Sequence, residues 1–306
     1  MAGLERLDRL LLARHPDFSR SRIEGLVKAG FVTVNGAVAG KAGMKVSEDD
    51  DIAVEIPPPV PAVPGPEDIP LDVVFEDDDM LVVDKAPGMV VHPAPGHFSG
   101  TLVNALLFHC PALSGIGGVA RPGIGHRLDQ FTSGLMVVAK SQRAMDALAR
   151  AFSGHVAVKK TYLAVCHGRP RLESGRIENM SGRHPVDRKR MAVVERGGKR
   201  AATDWRVVSS RRTASGAEVS AVECGIETGR THQIRVHMAS LGCPVAGDAV
   251  YGRRALDRLL DPVPGRQLLH AWRLELRHPV DGRPMGFESP VPPDMAPYIA
   301  TEGGAR

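Results

Sequence analysis

A run of prolines between residues 57 and 70 limits the fold of this chain more than any other feature. Its sequence, Pro-Pro-Pro-Val-Pro-Ala-Val-Pro-Gly-Pro-Glu-Asp-Ile-Pro, holds seven prolines, each with a fixed φ and no backbone donor. Such a stretch cannot sustain a helix or a central strand and is typical of a semi-rigid spacer. We therefore predict a small domain over residues 1–56, a linker over 57–70 and a large domain over 71–306.

The N-terminal segment has the pattern of two short helices followed by a hairpin. Leucines recur at helical spacing over residues 4–14, Ser19 is a suitable N-cap for a second helix, and Asn35-Gly36 is typical of a tight turn. The second helix carries three basic residues: Arg20, Arg22 and Lys28. Composition alone is as consistent with a solvated helix face as with an RNA-binding one.

Beyond the linker, strands outnumber helices and do not alternate regularly with them. Strand-like segments cover residues 73–75, 80–83, 90–93, 135–139, 159–165, 201–208, 218–223 and 268–276. Helical segments begin at Thr101, Ser141 and Thr228, of which the first two are favourable N-caps. This order predicts an α+β domain on a mostly antiparallel β-sheet with flanking helices.

The composition favours a protein of the cytoplasm. The chain has 39 basic and 35 acidic residues, a balance that permits a polyanionic partner without requiring one. No apolar run approaches the roughly 18 to 20 residues of a membrane helix, and the N-terminus lacks the pattern of a secretion signal. The four cysteines lie far apart without a Cys-x-x-Cys pair, which argues against a zinc site or a disulfide framework.

Residues 123–134, Gly-Ile-Gly-His-Arg-Leu-Asp-Gln-Phe-Thr-Ser-Gly, concentrate chemically active side chains. Asp129 follows Arg127 by two residues, and a buried-strand pattern begins immediately after the segment. Cations and hydroxyl groups around a carboxylate favour its ionised form, as a nucleophile requires. A lone aspartate is more often a loop cap or a structural partner of arginine, and sequence spacing leaves both interpretations open.

A second candidate segment is Thr-Gly-Arg-Thr-His-Gln-Ile-Arg-Val-His-Met at residues 228–238. We predict that it forms a helix on which Thr231 and Arg235 share a face. The N-terminus of such a helix suits a phosphate, and Arg235 is suited to a bidentate pair with a carboxylate of another segment. A solvent-facing arginine is an equally weighted alternative.

Tyr162 and a basic segment complete the candidates. Tyr162 is one of three tyrosines and is either a core residue or a ring that stacks on a base. Residues 182–191 are densely basic, and Arg188 and Lys189 within them are candidates for phosphate contact. The sequence contains no phosphate loop, dinucleotide fingerprint or metal-ligand spacing, so we predict neither a cofactor nor a metal.

Together these segments resemble the RluA/RluD-type synthases, which isomerise uridine to pseudouridine in ribosomal RNA. The resemblance rests on residues 123–135, on Lys-Lys-Thr-Tyr-Leu-Ala-Val at 159–165 and on residues 228–238. Gly-Asp-Ala-Val-Tyr-Gly at 247–252 and Leu-His-Ala at 269–271 extend it, and the N-terminal pattern is similar to the alpha-L RNA-binding motif. The resemblance is greatest to the RluD branch and implies a pseudouridine-synthase-type domain acting on large-subunit ribosomal RNA. A chain with two RNA-binding parts can act as a monomer, which we predict.

The resemblance also implies roles for individual residues. Asp129 is the catalytic carboxylate, and Arg235 pairs with it. Arg127 fills the space that the flipped uridine leaves, while Tyr162 stacks on the flipped base and helps to move a proton. Other polar side chains of the motifs are predicted to contact the RNA: His126, Thr132, Arg230, His232 and Gln233. The basic side chains outside the motifs are assigned the same role: Arg20, Arg22, Lys28, Arg188 and Lys189.

The chain departs from the family directly after Asp129, where a lysine is common and Gln130 stands here, followed by Phe131. Two rival functions share the same sequence features. A non-catalytic ribosome assembly factor would bind the RNA without changing it, and a base-excising glycosylase would release uracil. Because Asp129, Arg127, Tyr162 and Arg235 are all present, the sequence favours the isomerase.

Overall fold

The computed structural model describes residues 4–57, 64–94, 96–118, 122–154, 158–188 and 190–299. Contacts group the chain into two units, Met1–Pro61 and Ala62–Arg306. Residues 58–63, inside the predicted linker, lie outside the described part. The exact boundaries of the predicted linker and domains therefore stay predictions.

Within residues 4–57 the chain forms two helices and five short strands. In order these are β1 (Glu5–Arg6), α1 (Leu7–Arg14), α2 (Arg20–Lys28), β2 (Val32–Val34), β3 (Ala37–Val38), β4 (Lys45–Val46) and β5 (Ile52–Val54). Ser19 caps α2 by accepting a bond from the Arg22 amide. Asn35 and Gly36 form the predicted turn, with φ values of 51° and 77°. Apolar side chains of both helices and β2 form the core of this unit.

The first helix is shorter than the predicted span 4–14. β1 pairs antiparallel with β4, so the backbone becomes helical only at Leu7. Leu4 is 65% exposed and does not join an apolar helix face. The leucine spacing predicts the helix correctly from Leu7 onward, where Leu10 and Leu11 are buried with it.

The strands of the larger unit form one ten-stranded sheet. They are β6 (Asp72–Glu76), β7 (Met80–Lys85), β8 (Ser133–Ala139), β9 (Val158–His167), β10 (Ser174–Arg183), β11 (Met191–Val193), β12 (Lys199–Arg212), β13 (Glu218–Ile226), β14 (Leu269–Arg277) and β15 (Pro284–Glu288). Their order is β11-β10-β12-β13-β9-β14-β8-β7-β6, and β15 also pairs with β14. Among the described pairs only β14 and β8 run parallel, which confirms the predicted mostly antiparallel sheet. The extended piece predicted at residues 90–93 is not a strand of this sheet.

Helices cover both faces of the large sheet. They are α3 (Leu102–His109), α4 (Gln142–Ser153), α5 (Gln233–Ser240), α6 (Arg254–Asp257) and α7 (Ala296–Ile299), with a 3₁₀ turn at Pro111–Leu113. On β8, Met136 and Val138 join the buried cluster of α3, while Leu135 and Val137 join that of α4. Because both faces are covered, β8 has a continuous apolar sequence instead of an alternating one. Among the described residues no helix has the length and apolar character needed to span a membrane.

β8 and β14 approach each other closely at Gly134. Its φ is +112°, and a Cβ at this position would lie 2.3 Å from the carbonyl oxygen of Ala271. Only glycine fits such a contact with such a backbone angle. This glycine therefore belongs to the packing of the sheet, directly beside the loop that carries Asp129.

The helix predicted over residues 228–238 begins only at Gln233 and ends at Ser240. His232, immediately before it, has the left-handed backbone conformation, with φ of 56°. The prediction that Thr231 and Arg235 share a helical face is wrong, because Thr231 precedes the helix. The residues before Gln233 form a loop, which leaves Arg235 in the first turn of α5.

Candidate active site

The loop that carries Asp129 folds back along β8. Ile124 forms a β-bridge with Val138, and His126 Nε2 accepts a 3.0 Å hydrogen bond from the Val137 amide. Burial lowers the pKa of His126 to about 3, so the ring is neutral at pH 7 and is free to act as an acceptor. His126 therefore fixes the backbone ahead of Asp129.

The backbone after the candidate carboxylate is held at two consecutive carbonyl groups. The Gln130 carbonyl accepts bonds from the Gly88 amide (2.9 Å) and from Lys85 Nζ (3.1 Å). The Phe131 carbonyl accepts a bond from Arg266 Nη1 (3.1 Å). Lys85 is only 2% exposed, and burial lowers its pKa to about 7. Two buried basic side chains therefore hold this loop in place.

Asp129 lies opposite Arg235, whose Nη1 donates to its Oδ2 at 3.0 Å. Arg235 also donates through Nε and Nη2 to the two carboxylate oxygens of Asp248, at 2.7 and 2.8 Å. Asp248 accepts further bonds from the amides of Val250 and Tyr251, at 2.8 and 3.0 Å. Burial disfavours the charge on Arg235, but the hydrogen bonds and charges of Asp248 and Asp129 together outweigh burial and raise the pKa of the guanidinium. The predicted contact between Arg235 and Asp129 is present, and Asp248 holds Arg235 from the other side.

Gln233, the first residue of α5, bonds to the loop that precedes the helix. Its Oε1 accepts bonds from Thr228 Oγ1 (2.7 Å) and from the Arg230 amide (3.0 Å). Its Nε2 donates to the Ala202 carbonyl and to Thr203 Oγ1, both at 2.9 Å. Gln233 is only 4% exposed and its amide bonds are internal, so its side chain fixes the shape of the loop.

His232 lies at the end of this loop, close to the candidate carboxylate. Its Nε2 is 4.0 Å from Asp129 Oδ1, and its Nδ1 is 2.9 Å from the Tyr251 hydroxyl. That hydroxyl also accepts a 2.8 Å bond from the Met191 amide, and the Arg190 guanidinium lies 5.2 Å from the Tyr251 ring centre. Burial lowers the pKa of His232. Tyr251 therefore connects the basic hairpin between β10 and β11 to His232.

Three adjoining cavities surround these residues. The narrow cavity has a volume of about 60 Å³, and its walls include Arg127, Asp129, Thr132, Tyr162 and Arg235. A wider cavity of about 580 Å³ shares Arg127 and Tyr162 with it. Another, of about 530 Å³, shares Arg127, Asp129 and Arg235 with it. Arg127 is exposed and borders all three.

Tyr162 is the aromatic side chain of the narrow cavity and lies buried on the central strand β9. Burial, with a contribution from the charge of Asp129, raises the pKa of its hydroxyl, which is therefore protonated at neutral pH. Thr132 Oγ1 accepts a 2.9 Å bond from Gln267 Nε2, and the Thr132 amide donates to the Asp129 carbonyl at 3.0 Å. Thr132 thus closes the turn that presents the carboxylate.

Several predicted RNA-contacting residues lie away from the narrow cavity or on its edge. Arg230 borders it, and its Nε donates to the Arg200 carbonyl at 2.9 Å. Arg188 is exposed in the hairpin between β10 and β11, and Lys189 lies outside the described residues. The fold therefore brings Arg230 to the edge of the narrow cavity, while Arg188 lies exposed on the hairpin.

The three basic residues of α2 belong to the N-terminal unit and differ in their partners. Arg20 Nη2 lies 2.9 Å from Asp8 Oδ2. The Arg22 guanidinium lies over the Phe18 ring, 4.2 Å from its centre. Lys28 is exposed in the last turn of the helix. Within residues 4–57 the structure shows no ion pair for Arg22 or Lys28, so their charges are available to a polyanion.

Sequence reasoning missed four residues that hold the site: Lys85, Asp248, Tyr251 and Arg266. Asp248 and Tyr251 belong to the Gly-Asp-Ala-Val-Tyr-Gly segment that contributes to the family resemblance, and an acidic and an aromatic residue between glycines is a usable signal. Lys85 ends an ordinary strand pattern, and Arg266 follows a proline-glycine turn. The sequence around these two residues does not indicate that their side chains contact the loop of Asp129.

One group of side chains among the described residues has ligand atoms close enough to hold a metal: Glu76, His109 and Cys110, all within 4.8 Å of one another. Glu76 already pairs with His109 Nε2 at 2.8 Å and with Lys140 Nζ at 2.7 Å. None of these residues borders the three cavities. The group is therefore separate from the candidate active site.

Both parts of the chain match known families. The sequence model described as RNA pseudouridylate synthase matches residues 79–240, and the model of the S4 domain matches residues 5–52. The first match covers more than half of the 306 residues. The chain therefore belongs to the RNA pseudouridylate synthase family, and it carries an N-terminal S4 domain. The predicted family, the predicted enzyme class and the small N-terminal RNA-binding domain are confirmed.

Relatives align over nearly the whole chain. The ribosomal large subunit pseudouridine synthase D of Zymomonas mobilis is 46% identical over 296 residues, covering 95% of this chain and 91% of its own length. The protein of the same name from Nitrosomonas europaea is 46% identical over 311 residues, covering 98% and 84%. Among solved structures, human RNA pseudouridylate synthase domain containing 1 has a TM-score of 0.58 at 28% identity, covering 77% of this chain and 86% of that one. These matches agree with the α+β fold described above.

Proposed function

We propose that this protein converts specific uridines of large-subunit ribosomal RNA into pseudouridine, with Asp129 as the catalytic carboxylate. The observation that carries the proposal is the series of ion pairs from Asp129 through buried Arg235 to buried Asp248. It places one oriented carboxylate at the wall of a narrow cavity, as chemistry on an extruded base requires. The names of the relatives from Zymomonas mobilis and Nitrosomonas europaea support the choice of RNA.

The side chains around Asp129 suit the steps of this reaction. Arg127 is exposed and borders all three cavities, so its side chain can occupy the gap left in the RNA when the uridine flips out. The Tyr162 ring offers a stacking surface for the flipped base. Because burial and the charge of Asp129 raise the pKa of its hydroxyl, Tyr162 is neutral at neutral pH and can donate a hydrogen bond to the flipped base.

The reaction is an isomerisation whose atoms balance without a cofactor. The bond between ribose C1′ and uracil N1 breaks, the uracil turns within the cavity, and a bond between C1′ and C5 forms. The C5 hydrogen leaves as a proton, and N1 gains a proton. Asp129 attack on the sugar, its addition to the base and proton removal to give a glycal all use the same carboxylate.

The remaining contacts fit positioning and RNA binding. We assign the positioning of Asp129 to Asp248, His126 and Gln233, whose polar atoms are engaged inside the protein. The S4 domain binds RNA through Arg22 and Lys28, and Arg188 contacts phosphates from the hairpin of the larger unit. Lys189 is assigned the same role from the sequence. The protein acts as a monomer in the cytoplasm without a metal or a cofactor.

The test is the release of tritium from unmodified ribosomal RNA labelled at C5 of uridine. Pseudouridine formation must expel this hydrogen, because C5 becomes the new attachment point. We expect release by the wild type and none by Asp129→Asn, while Asp68→Asn, which changes an exposed aspartate outside the cavities, keeps the activity. Both large-subunit RNA and precursor particles are used as substrates.

The rival functions give different products in the same experiment. RNA binding that survives Asp129→Asn, with no tritium release by either protein on any substrate, would contradict the proposal and favour an assembly factor. Free uracil with an abasic site would indicate a glycosylase. Mapping the modified uridine after wild-type release then identifies the substrate position.

A further inference from the structure

We propose that the cavity of about 530 Å³, which Phe131 borders, binds the base of an unpaired nucleotide adjacent to the target uridine. Phe131 stacks on this base. The inference rests on the proposed function, since it places a second base beside the extruded one. Phe131 is 44% exposed and borders the cavity of about 530 Å³. This cavity, called the Phe131 cavity below, shares Asp129 and Arg235 with the narrow cavity. A ligand in one therefore lies directly beside a ligand in the other.

The Phe131 ring is presented on a rigid support. Its carbonyl accepts a bond from buried Arg266 at 3.1 Å, and the carbonyl before it, that of Gln130, is bonded to Gly88 and Lys85. The ring cannot be withdrawn by a simple shift of the loop without breaking these bonds. An exposed aromatic ring on a fixed backbone suits stacking, because only the rotation of the side chain is lost when a base binds.

The walls of the Phe131 cavity match the chemistry of a nucleotide. Ala249 and Val250 provide apolar surface for the flat face of a base. The basic side chains at its border are three histidines and three arginines: His92, His97, His232, Arg127, Arg235 and Arg266. Asp129 is the one acidic residue among the described lining residues, and it is paired with Arg235. Arg235 also pairs with Asp248, and Arg266 pairs with Asp294. Arg127 is exposed and has no ion pair among the described residues, so its guanidinium suits the phosphodiester backbone that joins the two nucleotides.

The other wide cavity offers no second stacking surface, since the Tyr162 ring at its border is assigned to the target base. Phe152 borders it, but the His126 ring already stacks on Phe152 with a centroid distance of 4.7 Å. Lys160 Nζ also lies 5.4 Å from the centre of the Phe152 ring. A base would have to displace one of these groups, whereas no ring or cation of the described residues stacks on the Phe131 ring. The observations therefore favour the Phe131 cavity.

The stacking is tested by binding of a single RNA strand of about nine nucleotides, with a central uridine flanked by adenosines, a length within the usual site sizes. Its Kd is measured for the wild type, Phe131→Ala and Phe131→Tyr, on the intact strand and on strands with one flanking nucleotide made abasic. We expect Phe131→Ala to weaken binding about tenfold, as for the loss of one stacked base, and Phe131→Tyr to bind as the wild type does. One of the two abasic strands should bind the wild type about as weakly as the intact strand binds Phe131→Ala. The same abasic position should leave the Kd of Phe131→Ala unchanged.

Phe108→Ala is the matched control, since Phe108 is 51% exposed on α3 and borders none of the three cavities. It should leave the Kd unchanged. Equal binding of Phe131→Ala and the wild type, or abasic losses of equal size in both proteins, would overturn the inference. Loss of binding by both Phe131→Ala and Phe131→Tyr would overturn it as well, because the ring is retained in the second variant.

Turnover on a large-subunit ribosomal RNA transcript separates this inference from the proposed function. Phe131→Ala should raise KM about tenfold and leave kcat within about threefold, because stacking of a flanking base contributes to binding rather than to the chemical step. An active wild type with an unchanged KM in Phe131→Ala would overturn the subsite alone. A wild type that makes no pseudouridine would overturn the proposed function, and the Kd comparison would still decide the subsite.

Discussion

Replacing Asp248 with asparagine tests whether Arg235 needs its two hydrogen bonds to Asp248 in order to position Asp129. Oδ1 of Asp248 accepts bonds from Arg235 Nη2 and from the amides of Val250 and Tyr251, while Oδ2 accepts the bond from Arg235 Nε at 2.7 Å. Asparagine has nearly the same volume but only one acceptor oxygen. Its NH₂ group would face either the Arg235 side chain or the backbone amides, so two donors would meet in every orientation.

The size of the effect follows from the burial of the pair. Arg235 and Asp248 are 4% and 1% exposed, and removing one partner of such a pair costs about 3–5 kcal/mol. Asp129 remains as a partner of Arg235 and no cavity is created, so we expect a loss of about 2–4 kcal/mol in the free energy of unfolding. A displacement of the carboxylate by about 1 Å lowers the rate about 100-fold. The effect should fall on kcat, with KM changed by less than about threefold, because the substrate-contacting side chains remain.

The assay combines urea unfolding with tritium release. Both tryptophans, Trp205 and Trp272, lie in the larger unit, so tryptophan fluorescence reports the unfolding of that unit alone. Glu223→Gln is the control, because its ion pair with 61%-exposed Arg206 lies at the surface and should contribute less than about 1 kcal/mol. An Asp248→Asn variant with wild-type stability and wild-type kcat would refute the argument that Arg235 needs this second carboxylate.

Two further predictions concern pH and salt. Burial holds the pKa of His126 at about 3, against 6.5 ordinarily, so between these values the unfolded chain binds a proton that the folded chain does not. The stability of the larger unit should therefore fall on acidification below pH 6.5, with His126 contributing about 1.4 kcal/mol per pH unit. His126→Gln should reduce this slope in urea titrations, and an unchanged slope would contradict the reasoning. In the S4 domain, the double variant Arg22→Gln, Lys28→Gln should lower the slope of log K against log salt by roughly 1.4–1.8, as for two lost phosphate contacts. An unchanged slope would exclude both side chains from RNA contact.

The secondary structure of the chain was largely predictable because its signals are local. Ser19, Thr101 and Ser141 cap helices as predicted, since a cap involves only the three residues that follow it. The strand β8 was equally clear, because a continuous apolar run bounded by glycine is typical of a strand buried on both faces. The sequence predicted that most strands pair antiparallel, but it did not predict which strands are neighbours. It also did not predict that β14 and β8 pair in parallel.

The errors in the prediction arise where distant residues decide the local backbone. The start of α5 depends on Gln233, whose amide bonds reach Ala202 and Thr203 on β12. No window around residues 228–238 contains this information. Similarly, Arg235 could be recognised as a candidate partner for Asp129, but Asp248 as its second partner could not be derived from spacing. Buried charged contacts between distant segments are therefore the part of the site that the sequence alone does not specify.

The replacement of the common lysine by Gln130 can be interpreted in the same terms. The contacts that fix residue 130 involve its carbonyl group, which accepts bonds from Gly88 and Lys85. These bonds form with any side chain at this position, so the substitution leaves the support of Asp129 intact. Gln130 and Phe131 both border the Phe131 cavity, which we have assigned to a flanking base and not to the target uridine. The departure from the family should therefore alter which RNA is bound more than how the uridine reacts. A Gln130→Lys variant that changes kcat and leaves KM unchanged would contradict this interpretation.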